Sequence, residues 1–184
     1  MIYFAHNVYN NSMIEREKTF LAKYIPQDVF TCESKDIIDI YIPKNQTHPH
    51  LRVRKSGDEY EITKKVQVEK DDASTQKEFT IPVTKEEYDA LSGLPGKQVE
   101  KRRYYYLHNG KTIEFDIFLN DLSGLVLIDV EFSSEEEKAQ FIMPDFCLVD
   151  ITQEEFIAGG VLCGKTYNDI AQKLQEFGYT ALHK

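Results

Sequence analysis

Residues 126–132, Val126-Leu127-Ile128-Asp129-Val130-Glu131-Phe132, set Val126, Ile128, Val130 and Phe132 on one parity and Asp129 and Glu131 on the other. A period of two belongs to a β-strand, where residues of equal parity share one face. The pattern recurs along the chain. Ile113, Phe115 and Ile117 alternate with Glu114 and Asp116, Leu51 and Val53 with Arg52 and Arg54, and Ile62 and Val66 with Thr63 and Lys65; the run from Ile14 to Lys23 carries Glu15 and Glu17 in phase. Each strand is therefore apolar on one side and charged on the other. Should the charged sides converge, carboxylates, arginines and lysines surround one space suited to a multivalent anion and its metal ions.

Strand candidates over 13–23, 36–43, 50–56, 58–69, 76–83, 98–107, 111–119 and 124–132 follow one another with few helices between them, which predicts an antiparallel sheet in an α+β chain. Ser56-Gly57-Asp58 and Asn109-Gly110 are hairpin turns. Four helices are announced by caps: Thr84 with Glu87, Ser134 with Glu137, Thr152 with Glu155 (closed by Gly159-Gly160), and a last one from about Thr166 to Phe177. These helices are expected to cover the apolar strand faces, leaving the charged faces turned away from them.

A chain of 184 residues is most economically one domain. No stretch approaches the roughly 20 apolar residues of a membrane span, and no export signal opens the chain, so no membrane partner is expected. Residues 1–12 read as an N-terminal extension before a domain over 13–184. Cys32, Cys147 and Cys163 are odd in number and lack C-x-x-C spacing, as in a cytoplasmic protein with reduced thiols. A formal charge of -9 argues against bulk binding to nucleic acid but leaves room for a basic pocket.

The carboxylate pairs Glu15/Glu17, Glu114/Asp116 and Asp129/Glu131 each stand two apart on one face, where they repel unless cations or solvent relieve them. Mg²⁺ and Mn²⁺ want such oxygen ligands. Arg52/Arg54 and Lys101/Arg103 share faces in the same way, and Lys65 is in phase with Thr63. The arginine fork suits phosphate oxygens. A solvated outer face, or acids and bases pairing across the sheet, satisfies the same pattern.

In order, Ile14-Glu15-Arg16-Glu17-Lys18-Thr19, Tyr41, Leu51-Arg52-Val53-Arg54, Thr63-Lys64-Lys65, Lys77-Glu78-Phe79-Thr80-Ile81-Pro82, Lys101-Arg102-Arg103-Tyr104, Ile113-Glu114-Phe115-Asp116, Ile128-Asp129-Val130-Glu131-Phe132 and Val149-Asp150-Ile151-Thr152 resemble the motif set of the CYTH family, the triphosphate tunnel metalloenzymes. The resemblance spans about residues 13–180. It implies a closed antiparallel eight-stranded β-barrel with helices packed on the outside, a charged tunnel within, and a small-molecule triphosphate bound with Mg²⁺ or Mn²⁺ in a monomer or homodimer. It implies metal ligation by Glu15, Glu17 and Glu131, with Asp129, Glu114 and Asp116 as further ligands. Arg52, Arg54, Lys65, Lys101 and Arg103 would grip the triphosphate, and Lys101 and Tyr41 stand where a lysine and a tyrosine orient the attacking water. Hydrolysis of inorganic tripolyphosphate is the leading expectation. An adenylate cyclase, a thiamine triphosphatase and a non-catalytic polyphosphate-binding module are the alternatives. The E-x-E-x-K signature is broken, since Thr19 replaces its lysine, and Thr80 stands where many relatives carry a carboxylate.

Gly159-Gly160-Val161-Leu162-Cys163-Gly164-Lys165-Thr166 matches the P-loop pattern letter for letter. A P-loop follows a buried parallel strand, and here a capped helix precedes it and eighteen residues follow. The glycines read instead as a helix C-cap. His48 and His50, flanking Pro49, read as a polar hairpin tip.

Overall fold

The structure, a computed structural model, describes residues 12–183. The expected extension over 1–12 therefore lies outside the described residues, except for Ser12, which opens the first strand. The strands are β1 (Ser12–Ala22), β2 (Ser34–Ile42), β3 (Leu51–Ser56), β4 (Glu59–Glu69), β5 (Asp72–Pro82), β6 (Lys97–His108), β7 (Lys111–Phe118), β8 (Val126–Glu131) and β9 (Cys147–Asp150). The helices are α1 (Lys85–Ser92), α2 (Glu135–Gln140), α3 (Gly159–Leu162) and α4 (Tyr167–Glu176).

All strand pairings are antiparallel, in the order β5-β4-β3-β2-β6-β7-β8-β1. Pairing of β1 with β5 closes that row into a barrel of eight strands. One edge of β1 is shared: Ser12–Arg16 pair with β5, and Phe20–Ala22 pair with β9. Gln153 joins the two partners where they part, bonding the Ala73 amide at 2.9 Å and the Asp72 carboxylate at 3.0 Å. Both hairpin turns are as expected. Asn109 and Gly110 have φ of 50° and 80°, the two positive values that a tight two-residue hairpin requires.

Strand β9 was not foreseen. It is four residues long and keeps only three register partners, too few for alternation to show in the sequence. The expected helix from Thr152 is also corrected: only a 3-10 turn (Glu155–Ile157) forms there. Its would-be cap is engaged elsewhere, since the Thr152 hydroxyl accepts from the Thr19 amide at 3.1 Å and donates to Asp150 at 2.5 Å. Glu155 turns to His48, 3.1 Å away. Gly159 and Gly160 open α3 rather than closing a helix. The caps at Thr84 and Ser134 form as expected, with the Glu87 and Glu137 amides donating at 3.2 Å.

Two apolar clusters hold the molecule. Phe20, Ile113, Phe115, Val126, Ile128 and Val130 face outward and pack beneath Val29, Phe146 and Phe141, as the alternation predicts. The other cluster lies at one end of the barrel. Leu21, Tyr41, Val99, Phe118 and Leu127 share parity with the polar inward positions Thr19, Asp39, Lys101, Asp116 and Asp129, yet they meet Ile157, Leu162, Ile170 and Leu174 of the C-terminal segment. So α3 and α4 cap a barrel end instead of lying on an outward strand face. Each fully buried Leu, Ile or Phe there contributes about 1.5–3 kcal/mol. The outer face of β4 and β5 stays bare, with Val66, Val68, Phe79 and Ile81 exposed. No helix among the described residues is long and apolar enough to cross a membrane.

Candidate active site

Inside the barrel is a cavity of about 740 Å³. Glu15, Glu17, Thr19, Tyr41, Arg52, Arg54, Lys65, Lys101, Arg103, Asp116, Asp129 and Glu131 all line it. Strand parity puts them there: antiparallel register sets Glu17 opposite Glu131, Thr19 opposite Asp129, and Tyr41 opposite Arg52. Of the residues expected from sequence, only Glu114 is outside the lining. Its Oε2 is in ion-pair contact with Arg103 Nη1.

The charged groups divide into two sets. In the first, cations are locked to buried acids. Arg54 forks Asp39 with two bonds of 2.7 Å, and Arg103 forks Asp116 with two more. Lys101 also bonds Asp116. Burial alone would raise both acids. The guanidiniums of Arg54 and Arg52 overcome it at Asp39, and Arg103 with Lys101 overcome it at Asp116, holding both well below the usual carboxylate range. Asp39 was missed in the sequence: its parity with Tyr41 was the one local signal, and its register with Arg54 emerges only in the sheet.

The second set is short of cations. Glu15, Glu17 and Glu131 each offer a carboxylate oxygen within 4.8 Å of the others. Burial, with Asp129 beside it, pushes the Glu17 carboxyl up strongly despite Lys65. Burial and the neighbouring Asp116 raise Asp129 as well, against Arg103. Lys65 reaches Glu15 at 2.5 Å and Glu78 at 3.5 Å. Thr19, where the signature has lysine, donates from its hydroxyl to Asp129 at 2.9 Å.

The six expected carboxylates are thus not one group. Glu15, Glu17 and Glu131 gather, Asp129 adjoins them, and Asp116 and Glu114 stand against Arg103. Nor does the structure bring Lys101 and Tyr41 together. Lys101 is in register with Ile37 and Tyr41 with Lys97, four residues further along both strands, or roughly 13 Å of strand. The Tyr41 hydroxyl instead accepts from Arg52 Nη1 at 3.4 Å. Lys165 of the P-loop-like stretch is not in the lining, whereas His48, Pro49 and His50 are.

No family model matches the chain. A protein of Nitrosomonas europaea named inorganic triphosphatase is 29% identical over 145 residues, covering 78% of this chain and 92% of that protein. A crystal structure of an inorganic triphosphatase superposes with a TM-score of 0.59 at 27% identity, covering 81% of this chain and 93% of the other. A second crystal structure of the same protein gives 0.58 at 27% identity, over 81% and 96%. With the ordered motifs carried on a closed eight-stranded barrel whose charged faces line its interior, the chain has the CYTH, or triphosphate tunnel, fold and is similar to these triphosphatases.

Proposed function

We propose that this protein is a divalent-metal-dependent hydrolase of triphosphates, acting on inorganic tripolyphosphate, and that residues 13–184 form the active unit. The observation that carries the reading is the gathered trio Glu15, Glu17 and Glu131 within a cavity that also holds Arg52, Arg54, Lys101 and Arg103.

The donor set fits a hard divalent cation. The three acids supply only oxygen, and they crowd one another without enough positive charge. Lining carboxylates outnumber lining cations ten to six, so an anionic substrate enters favourably only with counter-charge. Glu15, Glu17 and Glu131 would hold Mg²⁺ or Mn²⁺, which supplies Lewis acidity and an activated water. The chain's own part is positioning. Arg54 and Arg103, held in place by Asp39 and Asp116, need no reorganisation to face the phosphate oxygens. Arg52, Lys65 and Lys101 add charge against that building on the transferred phosphoryl and its diphosphate leaving group.

The inorganic substrate is favoured by where the aromatic residues stand. Tyr41 and Phe118, the lining residues with benzenoid rings, are buried at the apolar end. His48 and His50 stack on each other with centroids 4.4 Å apart. A nucleobase or thiazolium ring finds little free stacking surface.

Phosphate release from tripolyphosphate, ATP and thiamine triphosphate, each with Mg²⁺, Mn²⁺ or EDTA, tests the reading. Fastest release from tripolyphosphate, abolished by EDTA, is expected. Metal-dependent binding without release would make the chain a binding module, and cyclic AMP from ATP would make it a cyclase.

A further inference from the structure

Arg52 differs from the other buried arginines in how little of its hydrogen-bonding capacity is used. Its side chain is 12% exposed, and Nε is buried without a hydrogen-bond partner among the described residues. Nε stands 3.9 Å from Asp39, and Nη2 stands 3.9 Å from Glu78. The one side-chain hydrogen bond it makes among the described residues is the long one from Nη1 to the Tyr41 hydroxyl, 3.4 Å. Arg54 and Arg103 each spend a full fork on a carboxylate at 2.7 Å. Arg52 is therefore a guanidinium placed in the cavity with donors to spare, and Tyr41 is its side-chain hydrogen-bond partner among the described residues.

Tyr41 is itself held from behind. Gly159, the first residue of α3, lies so close that a Cβ built there would overlap the Tyr41 hydroxyl and lie 3.0 Å from Cζ. Its neighbour Gly160 makes an equally close approach elsewhere, against the Pro49 carbonyl oxygen. Neither glycine has the positive φ that would explain it by backbone conformation. The requirement is for space.

We propose that Gly159 is a positioning residue for the anion site: by leaving room for the Tyr41 hydroxyl it sets, through that hydroxyl, where the Arg52 guanidinium meets the substrate. The inference rests on the triphosphate reading of the cavity. It gives the glycine pair of the P-loop-like stretch a role without phosphate contact, and it makes Tyr41 an orienting group instead of a partner of Lys101. A methyl group at residue 159 drives the tyrosyl oxygen toward Arg52 and displaces the guanidinium, while the fork-locked arginines stay in place.

The test is a double-mutant cycle in the full chain, read as KM and kcat for tripolyphosphate, as its binding by calorimetry, and as Tm. Gly159→Ala should raise KM about tenfold or more, as for a misplaced charge-assisted hydrogen bond, with a smaller change in kcat. Tyr41→Phe alone should raise KM as well. Adding Gly159→Ala to Tyr41→Phe should then raise KM much less than it does beside Tyr41, because the hydroxyl it would overlap is gone and the nearest atom left is Cζ at 3.0 Å. Gly160→Ala should lower Tm, with an effect on KM that is the same in both residue-41 backgrounds. Equal effects of Gly159→Ala with Tyr or Phe at position 41 would overturn the inference. If Gly159→Ala does not fold, Tyr41→Phe still decides: a wild-type KM in that variant refutes the relay. A wild-type chain that neither binds nor cleaves tripolyphosphate would overturn the triphosphate reading and this inference with it.

Discussion

Arg103 and Asp116 meet fork to fork, Nε to Oδ1 and Nη2 to Oδ2 both at 2.7 Å, with Asp116 fully buried and Lys101 on the same carboxylate. Two cations thus share one acid, and Arg103 also pairs with Glu114 and, at 3.2 Å, with Asp129. Across the cavity the acids Glu15, Glu17 and Glu131 depend on Lys65 and on whatever cation they bind.

Opposite stability effects follow for two conservative substitutions. Asp116→Asn takes from Lys101 its ion-pair partner and from Arg103 its forked one, leaving Arg103 with Glu114 and Asp129, and should destabilise by up to about 3–5 kcal/mol. Glu17→Gln removes a buried charge that its neighbours disfavour, so it should unfold no more easily than wild type while losing tripolyphosphate hydrolysis. Urea denaturation beside a phosphate-release assay reads both, and an active Glu17→Gln enzyme would contradict the metal assignment.

Tyr179 fastens the C-terminal segment to the barrel. Its hydroxyl donates to the Gly124 carbonyl at 2.8 Å and accepts from the Val126 amide at 2.8 Å. Tyr179→Phe keeps the ring and strands that amide in a buried place, at a cost of about 1–3 kcal/mol. Thermal unfolding of the variant measures this, and an unchanged Tm would show that another group satisfies Val126.

The β4–β5 hairpin carries a pH-dependent tie. Burial would raise the Asp72 carboxyl, but hydrogen bonds from the Ser74 hydroxyl and amide and from Gln153 outweigh it and lower Asp72 to about 2 from 3.8. A depressed folded pKa stabilises above the unfolded value, and the gain is lost as pH falls from 3.8 through 2. Asp72→Asn should accordingly be less stable than wild type at neutral pH. Denaturation curves across that acid range should show the gap closing, and a gap independent of pH would refute the tie.

Thiol chemistry should separate the cysteines. Burial pushes the Cys147 thiol up to about 12, and Cys163 is buried and also raised by burial. Cys32 is partly exposed. Brief maleimide treatment of the native protein near pH 8 should add one label by mass, at Cys32, and three after denaturation.

Much of the barrel was legible because alternation is local. Glu15/Glu17, Arg52/Arg54 and Asp129/Glu131 declared their shared faces by parity, and Asn109-Gly110 its turn. Less legible was where an inward face stops being polar: Leu21, Phe118 and Leu127 continue the charged parity yet belong to the apolar end. The Thr152–Glu155 capping pattern misled for a related reason, since both side chains found distant partners in Thr19 and His48.

From the sequence alone came the assignment of each residue to a strand face, because the pleat of an L-peptide strand repeats every two residues whatever surrounds it. Which acids are neutralised and which gather for a cation was decided only in three dimensions. Coulomb interaction falls with distance between side chains from strands far apart in the chain, so Asp116 facing Arg103, and Glu15 and Glu17 facing Glu131, became different chemical groups only when the barrel closed.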